Sequence, residues 1–256
     1  MRWILLIMLC ACAAAPPSPA PETPAPPGET WQTIAPGLEQ RIYVPPGTAL
    51  MQLVALRIDP TYYTFRAHYR PGVARSTAEW ETLLPDATAF INANFFTEQH
   101  EILGLLITDG IAYGQPFTDR GGTFSVEGGQ PRVHSNLVEP YAGGAVEQAI
   151  QAFPMLVIDG QSAYTNPRAS RRPTRRSLIG QDAQGRIIWM ATPAVGQSLP
   201  DLSAYLATTD LGLVTAFNLD GGGSTLLVVR PPNGNPFRVT AFDPVPAVLA
   251  IYPRPA

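Results

Sequence analysis

The chain has 256 residues, of which 14% are charged and 45% hydrophobic, so it has the composition of a folded protein and not of a disordered charged chain. All 17 of its basic residues are Arg, which excludes Schiff-base lysine chemistry and a P-loop lysine. The formal net charge of −3 leaves no broad basic surface, so we expect no nucleic-acid partner.

Residues 1–12 predict a secretory signal, because Arg2 precedes an apolar run too short to span a bilayer. The sequence Leu-Cys-Ala-Cys at 9–12 resembles a bacterial lipobox, in which Cys12 carries the lipid. An ordinary signal cleaved near 13–15 is the alternative. We therefore expect an exported protein that is anchored to the membrane by lipid on Cys12, or secreted. Both cysteines lie in this segment, so we expect no disulfide in the remaining chain.

Residues 13–30 predict a linker, since seven prolines fall within the thirteen positions 16–28. Such a segment is a semi-rigid spacer, and behind a lipidated cysteine it would hold a domain away from the membrane. The remaining residues, 31–256, contain no low-complexity break and predict a single domain.

Short runs rich in β-branched and aromatic residues, separated by Gly or Pro, dominate that domain. The predicted strands are 52–58, 62–69, 88–92, 103–108, 123–126, 155–158, 186–191, 213–219, 225–229 and 247–251.

Three helices are predicted. Ser76 and Glu79 form a capping box for a helix over 77–84. A short helix is expected over 144–152, and another over 200–211, which Gly212 ends. The expected fold is α+β, a single domain of mostly mixed β-sheet with a few flanking helices.

Two amides end a predicted strand at Asn92 and Asn94, before a pair of phenylalanines. Asn favours tight turns, so a turn-forming role is one interpretation. The other is that the strand directs both amides into a site.

A second predicted strand ends in Asp159-Gly160. This pair is typical of a β-turn. A carboxylate at the end of an apolar strand is also a common position for a catalytic group.

Five arginines lie within nine positions, 168–176. A solvated basic loop is possible, but Arg forks match phosphate geometry, which favours an anion site. Arg176 directly precedes an apolar strand, so it is the arginine that we expect to be held in a fixed position.

Three consecutive glycines, Gly221, Gly222 and Gly223, follow Asp220 between two apolar runs, and Ser224 comes next. Successive glycines indicate a close approach of backbone to a ligand, and their N–H groups could form an anion-binding nest. A glycine hairpin is the alternative. Asp220 is the strongest single catalytic or metal-binding candidate.

The three histidines are scattered, which argues against a zinc site. A cation with oxygen ligands, such as Ca²⁺ on Asp159, Asp220 or the asparagines, stays open.

Four segments in chain order resemble the phosphodiester glycosidase family: INANFF at 91–96, PMLVIDG at 154–160, RSLIG at 176–180 and NLDGGGS at 218–224. The resemblance covers roughly 50–256. Ala93 stands in place of the family's usual Gly and Leu178 in place of its usual Ala, which predicts a reshaped pocket.

The resemblance implies hydrolysis of the bond between a sugar anomeric carbon and a phosphodiester oxygen, giving free sugar and a phosphomonoester. Asp220 is then the first candidate for activating water or stabilising an oxocarbenium-like centre, and Asp159 the second. Arg176, the glycine amides of 221–223 and Ser224 would bind phosphate. Asn92 and Asn94 would orient sugar hydroxyls or the phosphate.

Three hypotheses follow from the sequence. The first is an exported, membrane-tethered hydrolase of sugar phosphodiesters. The second is a non-catalytic envelope lipoprotein that binds phosphorylated glycans, and the third is a purely structural envelope lipoprotein in which the glycine run is only a hairpin.

Overall fold

The computed structural model describes residues 30–45, 51–166 and 171–255. Within them the chain is mainly β, with eighteen strands, two α-helices and one 3-10 turn. The strands are β1 (Gln32–Ala35), β2 (Leu38–Tyr43), β3 (Leu53–Ile58), β4 (Tyr63–Tyr69), β5 (Ala89–Asn92), β6 (Leu106–Thr108), β7 (Ile111–Tyr113), β8 (Gly122–Glu127), β9 (Gln130–Ser135), β10 (Val146–Ala152), β11 (Met155–Ile158), β12 (Gln161–Ser162), β13 (Ser177–Asp182), β14 (Ile187–Ala191), β15 (Leu213–Asn218), β16 (Leu227–Val229), β17 (Phe237–Val239) and β18 (Ala247–Pro253). The helices are α1 (Thr77–Leu83) and α2 (Leu199–Leu206), and the 3-10 turn spans Gly222–Ser224.

The strands form three sheets. The first has the order β1-β2-β3-β14-β13-β15-β11-β12, the second β7-β6-β10-β8-β9, and the third β17-β16-β5-β18-β4. Neighbouring strands are antiparallel throughout these sheets. The prediction of a mixed sheet was therefore wrong in the described part of the chain. Several neighbours, such as β8 and β9, are consecutive strands joined by a tight turn, and such hairpins are antiparallel.

A hydrophobic core is shared by all three sheets, and a helix covers the outer face of two of them. Side chains alternate between these layers with the period of two that strands impose. In the third sheet Ile91 faces the shared core, whereas Phe90 packs with Trp80 of α1. In the first sheet Ile179 faces the shared core, whereas Leu178 lies in the cluster under α2.

The ten predicted strands all overlap observed ones, and the strand after Arg176 is also present as β13. The capping box is confirmed, since Ser76 and Glu79 bond each other reciprocally at the start of α1. Helix α2 is shorter than predicted because it ends before Thr208 and Thr209, whose hydroxyls bond nearby helix carbonyls instead.

The predicted helix over 144–152 was wrong, because this segment forms β10 between β6 and β8. Its Ala, Glu and Gln residues favour a helix, but tertiary contacts override that preference. Gln148 is buried and accepts a hydrogen bond from the Ala67 N–H at 3.0 Å. Gln151 accepts bonds from the N–H groups of Leu105 and Phe117 at 3.1 and 2.8 Å.

The predicted signal, Cys12 and nearly all of the linker lie outside the described residues. Among the residues that the structure describes, no helix combines the length and apolarity needed to cross a bilayer.

Candidate active site

Three of the four sequence segments meet where the first and third sheets adjoin. The end of β5 brings Asn92, the start of β13 brings Ser177, and the loop after β15 brings Asp220. Antiparallel pairing of β13 with β15 places the start of one strand beside the end of the other, so the two segments are neighbours for a topological reason.

Asn92 joins these segments through its side-chain amide. Its Nδ2 donates to the Asp220 carbonyl at 2.7 Å, and its Oδ1 accepts from the Ser177 hydroxyl at 2.6 Å and the Leu226 N–H at 2.9 Å. The side chain is almost wholly buried. Asn92 therefore holds the Asp220 loop to both sheets, and its side-chain amide forms these hydrogen bonds with groups of the protein itself.

Asn94 supports a neighbouring loop. Its Nδ2 donates to the carbonyls of Leu103 and Leu105 at 3.3 and 3.0 Å. Its Oδ1 is buried and has no hydrogen-bond partner within the described ranges.

The glycine run forms a tight loop, and two of its positions require glycine for different reasons. Gly222 has φ of +61°, a conformation that other residues rarely adopt. A Cβ on Gly223 would overlap the Asp243 carboxylate. The Gly221 N–H donates to Asp220 Oδ1, and the Gly222 N–H donates to the Arg175 carbonyl, both at 2.9 Å. These two N–H groups are directed at protein acceptors, so the three-amide nest is not open in this conformation.

Asp220 carries the perturbed carboxyl of this site. Its pKa is raised from 3.8 to about 6, mainly by burial and to a smaller extent by the nearby Asp243 carboxylate. Hydrogen bonds from the Ser224 hydroxyl and the Gly221 N–H lower the pKa and offset part of that rise. The carboxyl thus titrates near neutral pH, which suits a group that exchanges protons during a reaction.

Arg176 directly precedes β13, the position expected from the sequence. Its backbone N–H donates to the Thr192 hydroxyl at 2.7 Å, and its Nε donates to the Gln197 carbonyl at 3.3 Å. Burial lowers the pKa of its guanidinium, whereas Tyr164 raises it. Asp243, and not Arg176, is the charged neighbour that shifts the pKa of Asp220.

Arg175 is more deeply buried than Arg176. It is only 5% exposed, and its Nη2 donates to the carbonyls of Thr225 and Thr240 at 3.0 and 2.8 Å. Burial lowers its pKa. None of the ion pairs between described residues includes Arg175 or Arg176. The site therefore has two guanidinium groups without a carboxylate partner in the described part of the chain.

Asp159 lies in the turn between β11 and β12, where it is exposed. Both Asp159 and Gly160 have positive φ, +49° and +73°, as a two-residue type I′ hairpin turn requires. The turn explains this residue without a catalytic role.

The two departures from the family pattern are core residues. Ala93 is 1% exposed and belongs to the core shared by the sheets, whereas Leu178 is fully buried under α2. The prediction that they reshape the pocket stays a prediction. The Ala93 carbonyl accepts a hydrogen bond from the Asp220 N–H at 3.1 Å.

No group of three or more His, Cys, Asp or Glu side chains gathers closely enough to hold a metal ion among the described residues. The oxygen-ligand cation on Asp159, Asp220 or the asparagines stays a prediction.

Sequence reasoning missed three residues of the site: Arg175, Phe242 and Asp243. Arg175 was one of five clustered arginines, and it is the most buried of those that the structure describes. Phe242 and Asp243 lie in an Asp-Pro loop that has no recognisable motif. They reach the site because the N–H groups of both donate to the Gly223 carbonyl, at 2.7 and 3.1 Å.

Comparisons with known proteins agree with this picture. The model of the family described as phosphodiester glycosidase matches residues 85–252, more than half of the chain. None of the curated proteins matches. Among solved structures, the zebrafish N-acetylglucosamine-1-phosphodiester alpha-N-acetylglucosaminidase catalytic domain, auto-inhibited by pro-peptide, has a TM-score of 0.66 at 18% identity. That match covers 87% of this chain and 86% of the zebrafish chain.

Two further structures share the fold. A hypothetical protein from Synechocystis has a TM-score of 0.59 at 18% identity, covering 86% of this chain and 62% of that one. A protein from Burkholderia pseudomallei that is thought to be exported has a TM-score of 0.54 at 13% identity, covering 79% and 74%.

Proposed function

The chain belongs to the phosphodiester glycosidase family, as its motifs predicted, and we propose that it hydrolyses the glycosidic bond of a sugar-1-phosphodiester. In this reaction a water oxygen bonds to the anomeric carbon while the bond from that carbon to the phosphate oxygen breaks. The products are free sugar and a phosphomonoester. Phosphate is a good leaving group, so the reaction depends less on an acid than ordinary glycoside hydrolysis does.

The observation that carries the proposal is the state of Asp220. It is the half-buried carboxyl of the hydrogen-bonded glycine loop, and its pKa is about 6. Above that pH it is ionised, and it then takes the proton from the attacking water or stabilises positive charge at the anomeric carbon. The Ser224 hydroxyl, which donates to Asp220, fixes the orientation of the carboxylate.

The substrate phosphate requires a cation, and we assign this role to Arg176. Its side chain is half-buried and has no ion pair in the described part of the chain. Its guanidinium Nε donates to the Gln197 carbonyl, and its backbone N–H donates to the Thr192 hydroxyl. Arg is suited to phosphate because its fork donates two parallel hydrogen bonds. Replacing Arg176 by Met should raise KM strongly. Arg171→Met is the matched control, because Arg171 is exposed and pairs with Asp201.

We further propose that the enzyme works outside the cytoplasm, tethered by lipid on Cys12. The support is the lipobox-like sequence and the proline-rich spacer that follows it. Loss of membrane association in a Cys12→Ser variant is the expected result. Unchanged partition into the membrane fraction would contradict the lipid anchor.

Turnover of sugar-1-phosphodiesters by the purified protein tests the activity. An N-acetylglucosamine-1-phosphodiester is the first substrate, because the name of the zebrafish relative specifies it. A panel of other sugars follows, each with and without chelator, and free reducing sugar is measured. Binding without turnover would support the non-catalytic glycan-binding alternative and contradict the proposed hydrolase activity.

Asp220→Asn tests the site assignment, because the amide keeps the shape of the carboxylate but cannot take a proton. We expect kcat to fall on the order of 10³-fold. Asp159→Asn is the control, and it should keep wild-type turnover because its turn tolerates Asn. Near wild-type activity in Asp220→Asn would show that another group performs the chemistry.

A further inference from the structure

Phe242 is an exposed aromatic ring at the edge of the proposed active site. The residue is 76% exposed, although large apolar side chains normally gain from burial. It directly precedes Asp243, whose carboxylate lies against Gly223 and raises the pKa of Asp220. The Phe242 backbone N–H donates to the Gly223 carbonyl at 2.7 Å, so the residue lies beside the loop that carries Asp220.

The ring is held in a fixed position from below. The Arg175 guanidinium lies 4.2 Å from the centre of the Phe242 ring. Arg175 is itself pinned by the carbonyls of Thr225 and Thr240. A cation on one face of a ring is an attractive contact, and it leaves the opposite face free.

The backbone around Phe242 is equally constrained. Its own N–H donates to the Gly223 carbonyl, and the Ala241 N–H donates to the Thr77 hydroxyl at 3.1 Å. The segment is thus tied to the glycine loop on one side and to α1 on the other. A fixed ring loses little conformational freedom when a ligand stacks on it.

We propose that the free face of Phe242 is the platform on which the sugar ring of the substrate stacks, and that it determines sugar specificity. This inference rests on the proposed function. The negative face of an aromatic ring attracts the weakly positive C–H groups that one face of a pyranose presents. Asp243, next to it, supplies a hydroxyl acceptor, giving the combination of apolar wall and oriented polar group that is typical of small-molecule sites.

The kinetic test compares Phe242→Leu and Phe242→Tyr with wild type. Leu keeps an apolar cover over Arg175 but removes the flat ring, so KM should rise on the order of tenfold with kcat little changed. Tyr restores the ring and should restore KM. A wild-type KM in Phe242→Leu would overturn the proposal.

A binding test separates this inference from the hydrolase assignment. In Phe242→Trp, the tryptophan emission should shift when methyl α-glucoside or the methyl glycoside of N-acetylglucosamine is added. Val138→Trp is the matched control, because Val138 is 78% exposed and lies beyond β9, away from the proposed site. No shift in Phe242→Trp, or an equal shift in the control, would refute the platform whether or not wild type turns over substrate. Absence of turnover in wild type would contradict only the proposed hydrolase activity and not the stacking platform.

Discussion

Asp220→Asn should make the protein more stable at neutral pH while it abolishes turnover. A buried carboxyl with a raised pKa binds its proton more tightly in the folded than in the unfolded state. Its stabilising contribution is therefore complete below about pH 4 and is lost as pH rises through the window from 3.8 to about 6. The variant carries a neutral amide, so it does not lose this stability.

The size of the effect follows from the two pKa values. The difference between 3.8 and about 6 is about two pH units, which corresponds to about 3 kcal/mol. The advantage of Asp220→Asn over wild type should therefore grow by about 3 kcal/mol between pH 4 and pH 8. The Gly221 N–H that donates to Oδ1 keeps its acceptor in the variant, so the loop retains its shape.

Urea unfolding at a series of pH values measures the effect. Tryptophan fluorescence reports it directly, because Trp80 and Trp189 are almost fully buried. Asp159→Asn is the control for the loss of a carboxylate at the surface, since Asp159 is exposed. A constant difference between Asp220→Asn and wild type over the whole pH range would refute the idea that burial of this charge costs stability.

Three other predictions concern the same loop. The value of kcat/KM should rise with pH as Asp220 ionises near pH 6. Asp243→Asn should shift this rising part of the pH–rate profile to lower pH, because it removes a nearby negative charge. Gly223→Ala should displace the Asp243 carboxylate, lowering the free energy of unfolding by about 1–3 kcal/mol and moving the pH–rate limb in the same direction. Asn92→Ala should cost about 3 kcal/mol or more in urea unfolding, because it leaves buried groups unpaired. A stability loss below about 1 kcal/mol would contradict the role of Asn92 as a junction.

Local sequence patterns predicted the strands well and the sheet arrangement poorly. Period-two alternation and turn residues are local signals, and β11 was found with its observed bounds. The segment that forms β10 reads as a helix because its preference is decided by distant partners, such as the Ala67 N–H bonded to Gln148. The six-residue strands β2 and β9 were missed, because polar and charged residues make up at least half of each and weaken the apolar signal.

The site was predictable to the extent that its residues lie in motifs. The family was identified from the NLDGGGS and RSLIG segments, and the family model confirms it. The hydrogen-bond partners of each polar residue depend on contacts between segments far apart in the chain. The partners of Asn92, for example, lie 85 to 134 positions away. Asp243 reaches the loop through its backbone, which no residue pattern encodes.

A comparison of Asn92→Ala with Asp220→Asn separates the residue that reacts from the residue that positions it. The site gathers several features that cost stability. They are the Asp220 charge, the positive φ of Gly222, and the Nε and Nη1 of Arg175, which have no hydrogen-bond partner among the described residues. Such costs persist in proteins where function uses them. Asn92 offsets them by tying the loop to two sheets. Asn92→Ala should therefore lose stability and activity together, whereas Asp220→Asn should lose activity while it gains stability above pH 6. Both variants should lose activity, but the change in the free energy of unfolding relative to wild type should have opposite signs. That result would distinguish a group that reacts from one that holds it in place.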